Sequence, residues 1–342
     1  MGIADHQVVV GLDVGGTTCN ATVLTAGGEF LVDRLVETPS RVTEGPEVSL
    51  ACIAAALDGV LELTGTPRSS VAAVGLDTPG PASATGVLSS TGATNFSDPG
   101  WHGFDFRGAL EARLGLPVTY LNDANAAAFY AHQRYFGARA QERSSVAAIV
   151  GTGLGGGVVE LGRVITGASG QAGELGHVHI PMDGLLAEGQ PVPQCNCGFA
   201  GDAESIASLT GIVKNLLPYW LRRYPDHELA KVPSIQEAAK LVRGYGERGD
   251  PLARAIFEQQ AKALGRLFTL CANIVDPHAY FVGGGVVEAA PEFRDWFLGK
   301  VREHTVLRAE QVAAAEFALV PDLDMAGARG AALAALATVQ DG

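Results

Sequence analysis

Two glycine-rich segments of the sequence combine an accessible backbone with side-chain oxygens, which is the chemistry needed to bind phosphate. The first is Asp13-Val14-Gly15-Gly16-Thr17-Thr18, which follows a short apolar segment. Glycines let backbone N–H groups approach an anion without a Cβ in the way, and Asp13 is placed to hold a metal ion or its water shell beside a phosphate. An ordinary β-hairpin, whose glycines serve only the turn, is the alternative.

The second glycine-rich segment is Gly151-Thr152-Gly153-Leu154-Gly155-Gly156-Gly157, which contains the dinucleotide-binding pattern G-x-G-x-x-G. That pattern binds a dinucleotide when a helix begins directly after the loop. Here Val158–Leu161 follows, and its composition predicts a strand, so a dinucleotide site is disfavoured. The sequence also lacks a Walker loop. The segment is therefore a second strand–glycine turn–strand unit, like the one at Asp13.

Asp123 is the best candidate for a general base. It lies at the junction between a predicted strand, Val118–Leu121, and a predicted helix that extends to about Phe136. A carboxylate at such a junction is held rigidly, and the neighbouring Asn122 can hydrogen-bond to hydroxyl groups. Phosphoryl transfer needs positioning, charge neutralisation and one base for the acceptor hydroxyl. A helix cap is the alternative role for Asp123.

A third group of polar residues has the composition of a partial metal site. Glu174-Leu175-Gly176-His177 lies in a glycine-rich loop, and Cys195-Asn196-Cys197-Gly198 follows in a polar loop. Thiols and imidazole are ligands that zinc prefers. A structural histidine with two unpaired thiols is the alternative.

Composition restricts the classes of protein to which the chain can belong. Of its 342 residues, 47% are hydrophobic and 18% are charged, which excludes a disordered or fibrous protein. With 24 Lys and Arg against 37 Asp and Glu, the net charge of −13 repels phosphate backbones, so no nucleic-acid partner is expected. No apolar stretch reaches the ~18 residues of a membrane span, and Met1–Gln7 lacks a signal-peptide pattern. No membrane partner is expected, and the isolated cysteines Cys19, Cys52 and Cys271 indicate a reduced, cytoplasmic protein.

The elements that must position these groups alternate between strands and helices, which predicts an α/β protein. Apolar segments predict strands at Val8–Leu12, Ala21–Leu24, Phe30–Val36, Val71–Leu76, Val118–Leu121, Val146–Val150, Val158–Leu161 and Ala279–Val282. Helices are predicted at Pro46–Leu63, Phe104–Leu114, Asn122–Phe136, Ala203–Leu217, Ser234–Gly246, Leu252–Val275 and Ala326–Thr338. The repeated glycine-turn unit and the length of the chain predict a duplicated domain in two lobes.

Together these segments resemble the ROK family (repressors, open reading frames and sugar kinases), which has the actin-like, ribonuclease H-like ATPase fold. Five motifs carry the resemblance, in order and at compatible spacing: Asp13-Val14-Gly15-Gly16-Thr17, Asn122-Asp123-Ala124-Asn125-Ala126, Gly151–Gly157, Glu174-Leu175-Gly176-His177 and Cys195–Glu204. They imply a duplicated α/β fold with two lobes and a central cleft. Residues 1–122, completed by the C-terminal helix 326–342, would form the smaller lobe, and residues 123–325 the larger lobe with the zinc-motif loop 177–204.

The resemblance further implies an ATP-dependent kinase, with Mg²⁺ and a structural Zn²⁺, that phosphorylates the primary 6-hydroxyl of a hexose. Asp123 would take the proton from that hydroxyl as it attacks the γ-phosphate. The other sugar hydroxyls would be bound by Asn95, Asn122, Glu174, His177 and Glu204. ATP and Mg²⁺ would be held by Asp13, Gly15, Gly16, Thr17, Thr152, Gly153, Gly283 and Gly284. Zn²⁺ would be held by His177, Cys195, Cys197 and Asp202.

Glucose is the first candidate for the sugar because the Glu174–His177 motif is complete and Glu204 is retained. N-acetylmannosamine, N-acetylglucosamine, mannose and fructose remain open, as does polyphosphate in place of ATP. A repressor of the same family is disfavoured because a first strand at Val8 leaves no room for a preceding helix-turn-helix, and an intact Asp123 disfavours a non-catalytic sensor. Family analogy implies a homodimer or homotetramer.

Three features depart from the family pattern. Asp202 replaces the third zinc cysteine, so a metal-free loop or His179 as a substitute ligand are alternatives to the Cys₂HisAsp set. The interval from His177 to Cys195 is longer than is typical, and its insert, 182–193, is expected at the rim of the sugar pocket or at an oligomer contact. Asp77 is also atypical, and nothing in the sequence explains it.

Overall fold

The computed structural model describes residues 3–34, 36–80, 82–89, 96–286 and 288–341. Within them the strands are β1 (Val8–Val14), β2 (Thr18–Thr25), β3 (Val36–Pro39), β4 (Val71–Thr78), β5 (Val118–Asn122), β6 (Ser145–Val150), β7 (Leu154–Glu160), β8 (Arg163–Val164), β9 (Ala279–Gly284) and β10 (Glu316–Leu319). The α-helices are α1 (Pro46–Thr64), α2 (Phe106–Leu114), α3 (Asp123–Phe136), α4 (Leu209–Gly211), α5 (Leu217–Arg223), α6 (Ile235–Glu247), α7 (Pro251–Ile274), α8 (Pro291–Glu303), α9 (Ala309–Ala314) and α10 (Leu323–Asp341).

The chain divides into two compact units. The first comprises residues 1–140, 163–173 and 321–342, and the second comprises residues 141–162 and 174–320. The first unit therefore extends beyond residue 122, where the sequence placed the boundary. The physical reason is that helix α3 packs against α10 and β5, both of which belong to the first unit.

A five-stranded sheet in the order β3-β2-β1-β4-β5 forms the centre of the first unit. Strands β1, β2 and β3 are antiparallel neighbours, and β4 and β5 run parallel to β1. Val10 of β1 lies in a buried cluster with Ile53 of α1, whereas Val9 lies in a separate cluster with Ala332 of α10. Successive side chains of a strand point to opposite faces, so β1 is apolar from Val8 to Leu12 because helices cover both faces.

The strand predicted at Phe30–Val36 is wrong in position. Strand β3 begins at Val36, and Phe30 forms only an isolated bridge to Leu24. The ring of Phe30 instead packs edge-on against Tyr130 and lies 4.6 Å from the Arg329 guanidinium. Phe30 is therefore apolar because it packs against other elements. A pattern of apolar residues does not distinguish such packing from a strand.

Helix α10 contacts the backbone of the sheet directly at two glycines. A Cβ at Gly11 of β1 would lie 1.9 Å from the carbonyl oxygen of Ala328, and a Cβ at Gly75 of β4 would lie 1.9 Å from that of Ala331. No side chain fits into that space. Glycine at both positions is therefore what allows α10 to cover this face of the sheet.

We expect Gly75→Ala to destabilise the protein by at least about 2 kcal/mol, because helix and sheet must separate to admit the methyl group. Gly59→Ala is the control: Gly59 lies within α1, and a Cβ there meets no atom within 4 Å. Alanine at that helical position is expected to stabilise by up to about 1 kcal/mol. Urea unfolding measures both changes, and a Gly75→Ala midpoint equal to that of the wild type would contradict the close packing.

The second unit repeats the strand arrangement of the first. Strands β7, β6, β9 and β10 are neighbours in that order, with β7 antiparallel to β6, and β9 and β10 parallel to it. Strands β2, β1, β4 and β5 have the same order and the same directions. The duplication predicted from the two glycine-turn units is therefore confirmed.

The helix predicted from Ala203 begins only at Leu209 and passes through a π-helical segment, Ile212–Leu216, into α5. The preceding residues form turns instead. The N–H of Ser205 donates to the Asp202 carboxylate (2.9 Å), and its hydroxyl donates to the Asp202 carbonyl (2.6 Å). Such local bonds compete with helix formation.

Helix α7 is the longest described helix. It begins after the N-cap Asp250, whose carboxylate accepts a hydrogen bond from the Ala253 N–H (2.9 Å), and Pro251 occupies its first position. None of the described helices is long and apolar enough to cross a membrane.

Candidate active site

Three carboxylates lie at one edge of the first sheet. Asp13 and Asp77 are register partners in the parallel strands β1 and β4, and Thr78 pairs with Asn122, the residue before Asp123. The carboxyl ends of neighbouring parallel strands meet at the same edge of a sheet. Asp13, Asp77 and Asp123 therefore form one group, which we call the carboxylate cluster.

Asp13 is held by a neighbour on the adjacent strand. Its Oδ2 accepts a hydrogen bond from the Asn20 side chain at 3.1 Å, and Asn20 is its register partner in the β1–β2 hairpin. On the other side, a Cβ added to Gly327 of α10 would lie 3.1 Å from the Asp13 Cγ. Burial raises the pKa of the Asp13 carboxyl, and the Asn20 bond acts in the opposite direction.

Asp77 is fully buried, with 0% of its surface exposed. Among the described residues, no N–H or O–H group donates a hydrogen bond to either of its carboxylate oxygens. Burial raises the pKa of Asp77 well above its usual value, and the negative charges of Asp13 and Asp123 raise it further. A hydrogen bond from the protonated Asp77 carboxyl to Asp13 acts in the same direction. Buried polar groups are nearly always hydrogen-bonded, so this carboxyl group requires a specific explanation.

The first glycine turn is braced by a serine. The N–H of Gly15 donates to the Thr18 carbonyl at 2.8 Å, which closes the turn between β1 and β2. Ser40 then donates its N–H to the Thr17 carbonyl (3.0 Å) and its hydroxyl to the Gly15 carbonyl (2.9 Å). The two bonds fix the loop that contains Gly16 and leave Thr17 exposed at its tip.

Asn122, and not Asp123, caps helix α3. The Oδ1 of Asn122 accepts a hydrogen bond from the Asn125 N–H at 2.7 Å. Asp123 is the first helical residue, and its exposed carboxylate accepts a hydrogen bond from the Ala124 N–H at 2.7 Å. The capping role considered for Asp123 therefore belongs to its neighbour, and the Asp123 carboxylate is presented at the sheet edge.

The second glycine turn, in the second unit, connects β6 to β7. The N–H of Gly151 donates to the Gly153 carbonyl at 2.9 Å. Thr210 donates both its N–H (3.0 Å) and its hydroxyl (2.8 Å) to the Thr152 carbonyl. Because a strand follows the turn, the helix that a dinucleotide-binding loop requires is absent here, as the sequence predicted.

Glu204 is bonded to this second turn. Its Oε2 accepts a hydrogen bond from the Leu154 N–H at 2.9 Å, and a Cβ added to Gly153 would lie only 2.6 Å from that oxygen. Its Oε1 accepts a hydrogen bond from the Cys195 thiol at 3.4 Å. Glu204 therefore links the glycine turn to the cysteine loop.

The predicted zinc ligands come together in the second unit. Ligand atoms of His177, Cys195, Cys197 and Asp202 all lie within 4.8 Å of one another. The Nδ1 of His177 lies 3.9 Å from the Cys195 Sγ and 3.4 Å from the Asp202 Oδ2, which is 3.5 Å from the Cys197 Sγ. Zinc bonds of about 2.0–2.3 Å in a tetrahedron separate ligand atoms by roughly 3.3–3.8 Å, so this donor set, the ligand cluster, fits zinc.

Local hydrogen bonds bring the two cysteines together. The N–H of Cys195 donates to the Phe199 carbonyl at 2.8 Å, and Gly198 occupies the turn with a φ of 94°. His179, the alternative ligand, is not among the clustered donors in the described residues, and its ring packs edge-on against Phe199. Burial, together with the nearby Asp202 carboxylate, raises the pKa of the Cys195 thiol.

Three further predicted residues lie near the ligand cluster or the second glycine turn. Glu174 is half-buried, and burial raises the pKa of its carboxyl, while nearby His177 acts in the opposite direction. Gly284 ends β9 with a φ of 95°, and a Cβ there would lie 2.0 Å from the Val150 carbonyl oxygen. Gly283 and Gly284 therefore lie beside the strand that leads into the second glycine turn. Asn95 lies outside the described residues.

The sequence profile of the ROK family matches residues 9–338. The chain belongs to the ROK family. Its relatives include a glucokinase from Halalkalibacterium halodurans, which is 33% identical over 301 residues that cover 86% of this chain and 84% of the relative. An N-acetyl-D-glucosamine kinase from Escherichia coli is 30% identical over 282 residues, which cover 81% of this chain and 83% of that protein.

Two solved structures are similar to this ROK family member over nearly its whole length. A ROK hexokinase from Thermus thermophilus is 31% identical, with a TM-score of 0.76 over 98% of this chain and 100% of that one. A ROK family glucokinase from Streptomyces griseus, in complex with glucose and AMPPNP, is 28% identical, with a TM-score of 0.69 over 96% and 99% of the two chains. The predicted actin-like ATPase fold is therefore confirmed.

The insert at 182–193 of this ROK family member is packed onto helices of its own unit. Tyr219 donates its hydroxyl to the Glu188 carbonyl at 2.9 Å, and Gln259 of α7 donates to the Gln190 side chain at 2.6 Å. Arg266, also of α7, donates to the Asp183 carbonyl at 2.6 Å. These bonds give the insert a defined conformation.

Sequence reasoning missed two supporting residues of this ROK site. Asn20 had a usable signal, because it is opposite Asp13 once the hairpin turn is fixed at Gly15 and Gly16. Ser40 had none, since its contact with the turn spans 25 positions and depends on tertiary packing.

Proposed function

We propose that this chain is an ATP-dependent sugar kinase that phosphorylates the primary hydroxyl of a hexose, with glucose as the first candidate. The observation that carries the proposal is the exposed carboxylate of Asp123 at the start of α3, where Asn122 takes the capping role. The hexokinase and glucokinase relatives support this choice of reaction and substrate.

In the proposed reaction Asp123 accepts the proton of the primary hydroxyl as that oxygen attacks the γ-phosphorus of ATP. A new oxygen–phosphorus bond forms while the γ-phosphorus separates from the β–γ bridging oxygen, and ADP leaves with that electron pair. The hydrogen bond from the Ala124 N–H holds the Asp123 carboxylate in a defined orientation. The products are a hexose 6-phosphate and ADP.

The phosphates of ATP would be bound by backbone N–H groups of the two glycine turns. In the first turn Gly16 and Thr17 would donate, and Gly15, whose N–H is bonded to the Thr18 carbonyl, would leave room for the phosphate. In the second turn Thr152 and Gly153 would donate. Gly283 and Gly284 would lie against the nucleotide. Asp13 offers the carboxylate oxygen that Mg²⁺ prefers, and bound Mg²⁺ would neutralise charge on the phosphates.

Asn122, Glu174, His177 and Glu204 would bind the other sugar hydroxyls, and Asn95 remains a further candidate. Their present contacts limit how each one can act. The Oδ1 of Asn122 caps α3, so its amide N–H₂ group is the donor for a sugar oxygen. The Nδ1 of His177 faces the ligand cluster, so Nε2 is the nitrogen proposed for the sugar.

We also propose that the ligand cluster holds a structural Zn²⁺ through His177, Cys195, Cys197 and Asp202. The distances among the ligand atoms and the mixture of imidazole, thiol and carboxylate support this assignment. The metal would stabilise the loop that ends at Glu204.

A coupled assay of ADP release tests the kinase proposal. Mg-ATP or polyphosphate would be supplied with glucose, mannose, fructose, N-acetylglucosamine or N-acetylmannosamine. We expect ADP release that depends on sugar and is fastest with glucose. Faster turnover with an N-acetylhexosamine would replace glucose as the substrate and keep the mechanism, whereas sugar binding without turnover of any donor would overturn the kinase proposal.

A further inference from the structure

The side chain of Asp77 has no role in the reaction proposed above, yet its burial is costly. Both oxygens are buried, and no N–H or O–H donor among the described residues reaches them; the protonated Asp77 carboxyl can itself donate to Asp13. The nearby hydroxyls of Thr78 and Tyr120 bond to each other at 2.9 Å. A buried carboxyl group that lacks donors is expected only where another partner compensates for the lost water.

The position of Asp77 identifies the kind of partner. It is the register partner of Asp13 at the carboxyl end of parallel strands, and Asp13 is the residue proposed to hold Mg²⁺. The negative charges of Asp13 and Asp123 are close enough to repel a negative charge on Asp77. A small divalent cation would relieve the repulsion among three carboxylates at one sheet edge, because such an ion prefers oxygen ligands and neutralises negative charge.

We propose that Asp77 is a second carboxylate of the divalent-cation site, which binds Mg²⁺ together with Asp13. Mg²⁺ is usually bound through one or two protein carboxylates plus substrate phosphates, so a second carboxylate fits the known preference of the ion. The assignment rests on the proposed function for the identity of the nucleotide. Binding of the cation alone can be measured without any reaction.

The direct test is the binding of Mn²⁺, a paramagnetic substitute for Mg²⁺, measured by electron paramagnetic resonance without nucleotide. We expect one saturable site in the wild type and at least tenfold weaker binding in Asp77→Asn, which keeps the size of the side chain and removes its charge. Asp226→Asn is the control, since Asp226 is exposed in the second unit and the variant has the same change in net charge. It should bind Mn²⁺ as the wild type does.

Thermal unfolding separates this role from a structural one. In EDTA the midpoint for Asp77→Asn should be no lower than that of the wild type, because a buried carboxyl is removed and the amide can still donate to Asp13. Mn²⁺ should raise the midpoints of the wild type and Asp226→Asn, and that of Asp77→Asn much less. Unchanged Mn²⁺ affinity in Asp77→Asn, or no saturable site in the wild type, would overturn the proposal. If Mn²⁺ binding depends on Asp77 but no sugar is phosphorylated, the kinase assignment fails and the cation site stands.

Discussion

Asp123→Asn is expected to lower kcat for sugar phosphorylation about 10³-fold, with KM for sugar and ATP changed little. That loss corresponds to about 4 kcal/mol of transition-state stabilisation. Asparagine has nearly the same shape and its oxygen can still accept the Ala124 N–H, but the neutral amide cannot take a proton from the hydroxyl. Steady-state kinetics with purified protein measure both parameters.

Asp105→Asn provides the matched control for this variant. Asp105 is the N-cap of α2 in the same unit, and its carboxylate accepts the Gly108 N–H at 2.8 Å. Asparagine caps helices as well as aspartate does, so activity and stability should be retained. An Asp123→Asn enzyme within a few-fold of the wild-type kcat would contradict the role of Asp123 as the base.

Removing one thiol of the ligand cluster is expected to abolish zinc binding and to lower the thermal midpoint by about 10 °C. Zinc binding contributes about 10–16 kcal/mol in small zinc-finger domains. A loss of several kcal/mol in a chain of this size lowers the thermal midpoint by about 10 °C. Cys197→Ala is the variant, and zinc per chain is measured by mass spectrometry of the metal. Cys52→Ala, in α1 of the first unit, should keep its zinc.

Asp202→Cys tests the unusual fourth ligand. Asp202 uses one oxygen for the Ser205 N–H (2.9 Å) and directs the other toward the cluster. A thiolate should bind zinc more tightly. The Asp202→Cys variant also loses the hydrogen bond to Ser205, which should lower its stability in EDTA by about 1 kcal/mol.

The zinc assignment itself has two contradicting outcomes. One is equal zinc content in the wild type and Cys197→Ala, and the other is no zinc in wild-type protein prepared with zinc.

The motifs predicted the site best where the chemistry is local in sequence. The glycine turns at Gly15 and Gly151 follow from short apolar segments on both sides, and the structure has both turns. The spacing of Cys195 and Cys197 likewise places two ligands in one loop. Such features depend on a few consecutive residues, so pattern alone can find them.

What the sequence could not predict depends on distant contacts. The cap of α3 could be either of two adjacent residues, Asn122 or Asp123. Only the structure shows that Asn122 accepts the N–H bond that caps the helix. The proximity of Asp77 to Asp13 and Asp123 depends on β1, β4 and β5 lying side by side. The helix predicted from Ala203 starts later because the Asp202 carboxylate accepts the Ser205 N–H and the Ser205 hydroxyl donates to the Asp202 carbonyl.

The proposed reaction transfers the γ-phosphoryl group of ATP to the primary hydroxyl of a hexose. The most direct test is phosphorus-31 NMR of a reaction of wild-type protein with Mg-ATP and glucose. We expect glucose 6-phosphate and ADP in equal amounts, with no free phosphate beyond the sugar-free control. ATP converted only to ADP and inorganic phosphate, or a phosphate placed on a ring hydroxyl, would contradict it.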